Sequence, residues 1–265
     1  MKTKFQQLIT NLLIHQSLLY SHTFMSNTVT PYNDTRSKKE QVEEMFDNIA
    51  HRYDFLNHLL SLGIDIIWRK KAVKHIGSVQ PKRILDVASG TGDFAFEALS
   101  LNPEKIIGFD LSEGMMNYGR EKARKLNVSN IVEFIKGDSE KMPFKENSFD
   151  AITVGFGVRN FENLEAGLKE MYRVLRAQGK VAILEASMPQ NAIIRTVFSL
   201  YFGKIVPLVG RLFSKDARAY DYLPESVRAF PHGLEFVRIL ENIGFRNVKW
   251  QPLTFGACAF YTMEK

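Results

Sequence analysis

The sequence predicts an α/β protein, a doubly wound and mostly parallel sheet with helices on both faces. Three observations carry that prediction. Short apolar runs alternate with helical stretches through the middle of the chain, the order that builds parallel strands joined by crossover helices. The first run ends in a glycine-rich turn, Asp86-Val87-Ala88-Ser89-Gly90-Thr91-Gly92-Asp93. The 265 residues are 45% hydrophobic and 24% charged, which suits a single large core and argues against wholesale disorder or a bundle of membrane spans.

The elements follow in order. Residues 1–24 place two lysines before a mildly apolar stretch, but Gln6, Gln7, Thr10, Asn11, His15 and Gln16 interrupt it and no small-residue cleavage site follows. Residues 1–37 therefore read as a disordered N-terminal extension ahead of one domain over 38–265. From Lys38 the apolar residues Val42, Met45, Phe46, Ile49, Tyr53, Leu56, Leu59 and Leu60 recur at spacings of three and four, one face of a helix. Gly63 interrupts, a second helix follows around Trp68–Ile76, and Gly77 and Pro81 close this helical cap over 38–77. Strands are expected at Arg83–Ala88, Lys105–Asp110, Ile131–Lys136, Phe149–Val154 and Lys180–Glu185. Helices are expected at Asp93–Ser100, from Ser112 (as N-cap) to Lys125, and at Glu162–Leu175. Residues 190–215 break the rhythm. Ile194, Val197, Phe198, Tyr201, Ile205, Leu208, Val209 and Leu212 form an apolar stripe, divided by Gly203, Pro207 and Gly210, and Lys204 and Arg211 exclude a simple membrane span. A helical insert over 190–232 is the expectation. Gly233–Ile243 reads as a helix, and Arg246–Pro252 with Phe255–Thr262 as a closing antiparallel hairpin.

Charge and cysteine usage exclude some functions. Of the net charge of +6, residues 1–40 carry +3, and basic residues elsewhere alternate with acidic ones. A nucleic-acid binder needs a concentrated basic face, so none is expected. The single cysteine, Cys258, rules out an intramolecular disulfide and an all-cysteine metal site. A cytoplasmic location and no metal are the expectations.

The glycine turn lets backbone approach a ligand closely. Its spacing Gly90-x-Gly92-x-x-Ala95 also meets the loose dinucleotide fingerprint. The surrounding charges decide between ligands. Asp86 ends the first strand, Asp93 opens the helix, Asp110 ends the second strand and Asp138 lies just past the third. A pyrophosphate wants an uncompensated helix N-terminus, whereas S-adenosylmethionine brings a cationic sulfonium and ammonium. One opposite charge at about 4 Å contributes roughly 4 kcal/mol at an effective dielectric of 20, before desolvation. Asp110, 18 positions after Gly92, stands where an acid takes both ribose hydroxyls. Asp138-Ser139 is placed to meet the adenine edge.

These motifs resemble those of the class I S-adenosylmethionine-dependent methyltransferases. Further segments narrow the resemblance. Phe46-Asp47-Asn48-Ile49-Ala50-His51-Arg52-Tyr53-Asp54 leads to Trp68-Arg69, Gly155-Phe156-Gly157-Val158-Arg159-Asn160 precedes Glu170-Met171-Tyr172-Arg173-Val174-Leu175, and Ala219-Tyr220-Asp221-Tyr222-Leu223-Pro224-Glu225-Ser226 leads to Phe230-Pro231. Together they are similar to the demethylmenaquinone / 2-methoxy-6-polyprenyl-1,4-benzoquinol methylase family over residues 40–262. The resemblance implies a Rossmann-like seven-stranded sheet with the last strand antiparallel, and cofactor contacts at Thr91, Asp110, Asp138 and Ser139. Asp86, Gly90 and Gly92 complete the expected cofactor set. Gly155 stands where many members carry serine, and no contact is carried over to it. Ring C-methylation of a polyprenylated quinol in quinone biosynthesis is then implied. Demethylmenaquinol is the first acceptor, the benzoquinol of ubiquinone synthesis (or both) the alternative, and a non-catalytic cofactor-binding subunit the remaining one. Arg159, just past the fourth strand, either stabilises the quinol phenolate as the catalytic residue or forms a structural salt bridge. The 190–215 stripe suits a prenyl tunnel, a peripheral contact with the bilayer, or core packing.

Overall fold

The computed structural model describes residues 29–32, 34–205 and 218–265. Residues 1–28, most of the expected N-terminal extension, and residues 206–217, part of the expected insert, lie outside the described residues. Helices α1 (Lys38–Ile49), α2 (Tyr53–Leu60) and α3 (Ile64–Gly77) precede the sheet. The α/β part then runs β1 (Arg83–Val87), α4 (Asp93–Ala98), β2 (Lys105–Asp110), α5 (Glu113–Lys125), β3 (Val132–Lys136), β4 (Phe149–Gly155), α6 (Leu164–Val174) and β5 (Leu175–Ala186). Helices α7 (Ala192–Leu200), α8 (Arg218–Ala229) and α9 (Leu234–Ile243) follow, then β6 (Arg246–Leu253) and β7 (Cys258–Glu264).

The seven strands form one sheet in the order β3-β2-β1-β4-β5-β7-β6. Pairings from β3 through β5 are parallel, and β7 runs antiparallel to both its neighbours. This is the expected class I methyltransferase architecture. The sheet is built by period-two burial. Leu85, Val87, Ile107 and Phe109 face one core with Leu168, Met171, Phe236 and Leu240 of α6 and α9. Ile84 and Ile106 face the other, with Val73 and Ile76 of α3, Phe94 of α4 and Met116 of α5. Each fully buried side chain of this size contributes about 1.5–3 kcal/mol, so burial on both faces pins the register. Strand order reverses between β1 and β4, the position where open α/β sheets bind ligands beyond the carboxyl ends of the strands.

Helix starts follow local chemistry. Ser37 and Glu40 form a reciprocal capping box on α1. Ser112 caps α5 as expected, its Oγ accepting from Met115 N–H at 3.1 Å. Asn163 caps α6, which starts at Leu164 rather than the expected Glu162, because a 3-10 turn over Val158–Asn160 delays the helix. The long helix expected from Lys38 breaks at a 3-10 turn over Ala50–Arg52. Helix α3 starts four residues earlier than expected, where Gly63 adopts φ 74° and turns the chain. Within the stretch read as an extension, Tyr32 N–H donates to Gln41 Oε1 at 2.8 Å, and Val29 and Tyr32 pack against Val42, Met45, Ala219 and Tyr222. No helix among the described residues is long and apolar enough to cross a membrane.

Candidate active site

Two cavities open beyond the carboxyl ends of the central strands. A narrow cleft of about 60 Å³ is lined by Gly90 after β1, Asp110 at the end of β2, Asp138 and Ser139 after β3, and Gly155 at the end of β4. Helix α1 covers it with Lys39, Glu43 and Phe46. A larger cavity of about 440 Å³ lies between α1–α3 and α7–α8, lined by apolar side chains with Arg159, Asn57, Ser61 and Asp65 among them. Phe46, Tyr53 and Phe156 line both, so the two spaces meet at three aromatic rings.

Asp110 is held rigidly in the cleft wall. Its Oδ2 accepts Gly90 N–H at 2.7 Å and its Oδ1 accepts Ser112 N–H at 2.8 Å. Burial pushes its pKa up, while those backbone donors pull it down. The Ser89 hydroxyl, in the same glycine loop, has no hydrogen-bond partner among the described residues, but it faces Gly108 of β2 and does not line the cleft. Gly90 has φ 54° and presents bare backbone to the cleft. Asp138 is bound by Lys39 Nζ, which also reaches Glu140 Oε2 at 3.5 Å, so α1 is tied across the cleft. Asp47 of α1 adds a second tie, accepting Ser112 Oγ–H at 2.5 Å and Gly114 N–H at 2.8 Å at the amino end of α5.

Three of the expected cofactor residues do not line the cleft. Asp86 lies behind it, 1% exposed, its carboxylate accepting Thr153 Oγ1–H at 2.8 Å and Ala95 N–H at 3.2 Å. The Thr91 hydroxyl turns away to Asp54 of α2, with Lys122 Nζ at 3.3 Å. Gly92 forms the turn into α4 at φ 86°. Asp93 also turns away, to Lys122 at 2.8 Å. The crevice of four carboxylates expected from the sequence therefore contains only Asp110 and Asp138 of that set. Its sign is unchanged, since Glu43, Glu140 and Glu162 also line it against the single cation Lys39. These glutamates were not legible, because their approach depends on α1 and on the loops before and after β4 folding over the strand ends.

Two predictions arise here. Gly92→Ala is expected to cost about 2–4 kcal/mol of stability, from the left-handed backbone and overpacking. A Cβ there would lie 2.5 Å from the Phe134 ring and 2.9 Å from Phe96. Thermal melting checks it, and an unchanged midpoint would refute the packing argument. For Asp86, burial raises the pKa from 3.8 to about 7. Between these values the folded state holds a proton that the unfolded state has released, so Asp86 contributes stability below pH 4 that is lost as pH rises to about 7. The stability difference between wild type and Asp86→Asn should therefore fall across that window. Urea unfolding at pH 4, 5.5 and 7.5 reads it; a flat or rising difference refutes it.

Arg159 occupies the wall of the larger cavity, not the cleft. Its Nη1 donates to Glu185 Oε1 at 2.8 Å and to the Phe156 carbonyl, and its Nε to Ser226 Oγ at 3.3 Å. Arg159 and Glu185 are 8% and 0% exposed in their side chains. Burial opposes the Arg159 charge, but Glu185 beside it holds its pKa above the usual arginine range. Nη2 has no acceptor among the described residues. Tyr53 and Tyr222 approach the same guanidinium, and burial pushes both phenols up to about 12. They stay protonated at neutral pH and can donate but not accept a substrate proton. Tyr222 Oη donates to Asn160 Oδ1 at 3.2 Å. In the sequence, Phe46 and Tyr53 are marked by their helical spacing and by the resemblance-carrying segment Phe46–Asp54, whereas no signal marks Glu185 as a site residue. His232 Nε2 contacts the Val227 carbonyl and lines neither cavity. His58, Asp65 and Asp93 bring ligand atoms within 4.8 Å of one another. Arg69 reaches Asp65 at 2.7 Å and Lys122 reaches Asp93 at 2.8 Å, so cations already neutralise both carboxylates.

Residues 34–265 match the model of the ubiE/COQ5 methyltransferase family. The chain belongs to that family. Among its relatives in the ubiE/COQ5 family is a demethylmenaquinone methyltransferase of Bacteroides fragilis, 49% identical over 238 residues, covering 89% of this chain and 97% of that protein. A second is a ubiquinone/menaquinone biosynthesis C-methyltransferase of Geotalea uraniireducens, 44% identical, covering 86% and 97%. Among solved structures, an S-adenosylmethionine-dependent methyltransferase of Thermotoga maritima aligns with TM-score 0.57 and 21% identity, covering 84% and 99%, which establishes the fold.

Proposed function

We propose that this ubiE/COQ5 methyltransferase transfers the methyl group of S-adenosylmethionine to a ring carbon of a polyprenylated demethylmenaquinol. The observation that carries the reading is the junction of the two cavities at Phe46, Tyr53 and Phe156. A carboxylate-lined cleft at the sheet's switch point meets an apolar cavity large enough for a quinone ring. The Bacteroides fragilis relative's name supports the naphthoquinol.

In this reading Gly90, Asp110, Asp138 and Ser139 hold the cofactor. Asp110 takes the ribose hydroxyls and Asp138 with Ser139 the adenine edge, once Lys39 releases Asp138. Asp86, Thr91 and Gly92 shape the loop from behind. The bound cofactor supplies an electrophilic methyl whose leaving group is a neutral thioether. The chain's own residues prepare the acceptor. A quinol hydroxyl must lose its proton so that the oxygen's charge reaches the neighbouring carbon. The Arg159 cation in the cavity wall stabilises that phenolate, and Glu185 fixes the guanidinium plane. Phe46, Tyr53 and Phe156 exclude water from the junction, which aligns and desolvates the reacting pair. The hydroxyl proton leaves to solvent through the open mouth of the larger cavity, and after transfer the methylated carbon sheds its own proton, which restores the aromatic ring. The proposed enzyme works in the cytoplasm and meets its prenylated acceptor at the inner face of the membrane.

Methyl transfer from labelled S-adenosylmethionine to short-chain demethylmenaquinol, with the matching benzoquinol alongside under reducing conditions, tests the reading. Product from the naphthoquinol alone is expected. Product from the benzoquinol alone would reassign the acceptor. Cofactor binding with no product from either would overturn the quinol assignment.

A further inference from the structure

The mouth of the larger cavity is ringed by apolar side chains in solvent. Leu62 is 80% exposed, Phe255 78% and Val197 64%, and all three line that cavity. Ile67, Ile193 and Leu200 extend the patch outward, more than half exposed and outside the cavity lining. The patch draws on three segments distant in sequence that the fold ties together. Trp68 Nε1 donates to Thr254 Oγ1 at 2.9 Å, and Ser187 Oγ donates to the Gly256 carbonyl at 2.7 Å. Phe255 sits at φ 58° beside Thr254 at φ 44°. A bulky residue in the left-handed region is strained, and here the strained turn holds an aromatic ring out in water. Packing among the described residues gives no reason for that arrangement, and strain of this kind gathers at ligand clamps.

The exposed charges on the segments flanking the patch have one sign, since Asp65 of the cavity lining is buried and paired with Arg69. Residues 66–85, 187–204 and 245–263 contain no aspartate or glutamate. Lys70, Lys71, Lys74, Arg195, Lys204 and Lys249 are exposed on these segments. An apolar rim in a basic surround matches an anionic lipid surface. It disfavours a second copy, since a two-fold contact of this patch on itself would oppose cations to cations.

We propose that this face docks on an anionic lipid bilayer, with Leu62, Val197 and Phe255 at the acyl boundary, so that the cavity opens directly into lipid. The inference rests on the prenylated-quinol reading for its purpose: the ring enters the cavity while the chain stays in the membrane. The full chain is floated with vesicles of phosphatidylglycerol and phosphatidylethanolamine, and with phosphatidylcholine vesicles, in the absence of substrate. Binding to the anionic vesicles alone is expected. The variant Ile67→Glu/Ile193→Glu/Leu200→Glu should lower the bound fraction by about tenfold or more while melting as wild type does. Lys70→Glu/Lys71→Glu should weaken binding and flatten its salt dependence. Turnover of a short-chain quinol in solution should be unchanged in the triple variant, and turnover of a long-chain quinol in vesicles should fall with the bound fraction. Unchanged flotation in both variants would overturn the docking face. So would a wild-type dimer that the triple variant converts to monomer without vesicle binding at any stage. Flotation needs no acceptor, so failure of the quinol assay removes the acceptor assignment and leaves the flotation result to decide the face.

Discussion

Asp110→Ala is expected to raise the dissociation constant for S-adenosylmethionine by roughly 100-fold to 1,000-fold. Asp110 is the cleft carboxylate that the proposed function assigns to the ribose hydroxyls, and each hydrogen bond to a charged group contributes about 1.5–3 kcal/mol. Losing two gives about 3–6 kcal/mol, and the lower part of that range, about 3–4 kcal/mol, corresponds to the stated loss of affinity. The substitution also leaves Gly90 N–H and Ser112 N–H without their present acceptor. Stability should therefore fall by about 1–3 kcal/mol as well, and titration calorimetry belongs at a temperature where the variant is folded. Asp110→Asn keeps the shape and removes the charge, so it should fall between wild type and alanine. Affinity within threefold of wild type in the folded alanine variant would remove the ribose assignment.

The second large effect is at Arg159. Arg159→Ala should lower kcat by about 100-fold, the size found for removing one donor to a developing oxyanion, with the cofactor's affinity nearly unchanged. It should also destabilise the protein by about 3–5 kcal/mol, because it strands Glu185, which is 0% exposed in the side chain. The two effects separate in Arg159→Met/Glu185→Leu. Replacing both members of a buried pair with apolar residues recovers much of the stability but restores no cation to the cavity. Recovery of turnover along with stability would make Arg159 structural. Loss of turnover that persists in the stable double variant would place it in the chemistry.

Much of the fold was legible from short-range pattern. Lys105–Asp110 is buried throughout its middle, as a continuous apolar run covered on both faces implies, and the observed strand has those bounds. Ser112 was readable as a cap because its partner, Met115 N–H, is three residues away. The strand-helix alternation implied the parallel sheet, and with it a site beyond the strand ends near Gly90, Asp110 and Asp138. Some boundaries moved for local reasons, as that of α3 did at Gly63, and others for non-local ones. Strand β5 begins at Leu175 because Phe149 pairs with it across a register shift, a partner no local window contains.

The sequence by itself determined the sheet, its helices, the glycine turn and the family. Each depends on residue periodicity, capping within a few positions, or a contiguous motif. Only the tertiary structure decided which way each charged side chain faces. Asp86 bonds Thr153, Asp93 takes Lys122, and Arg159 takes Glu185. Those partners lie 26 to 67 residues away. A buried charge must find a partner or shift its pKa, and where that partner stands is set by chain crossings that no local spacing encodes.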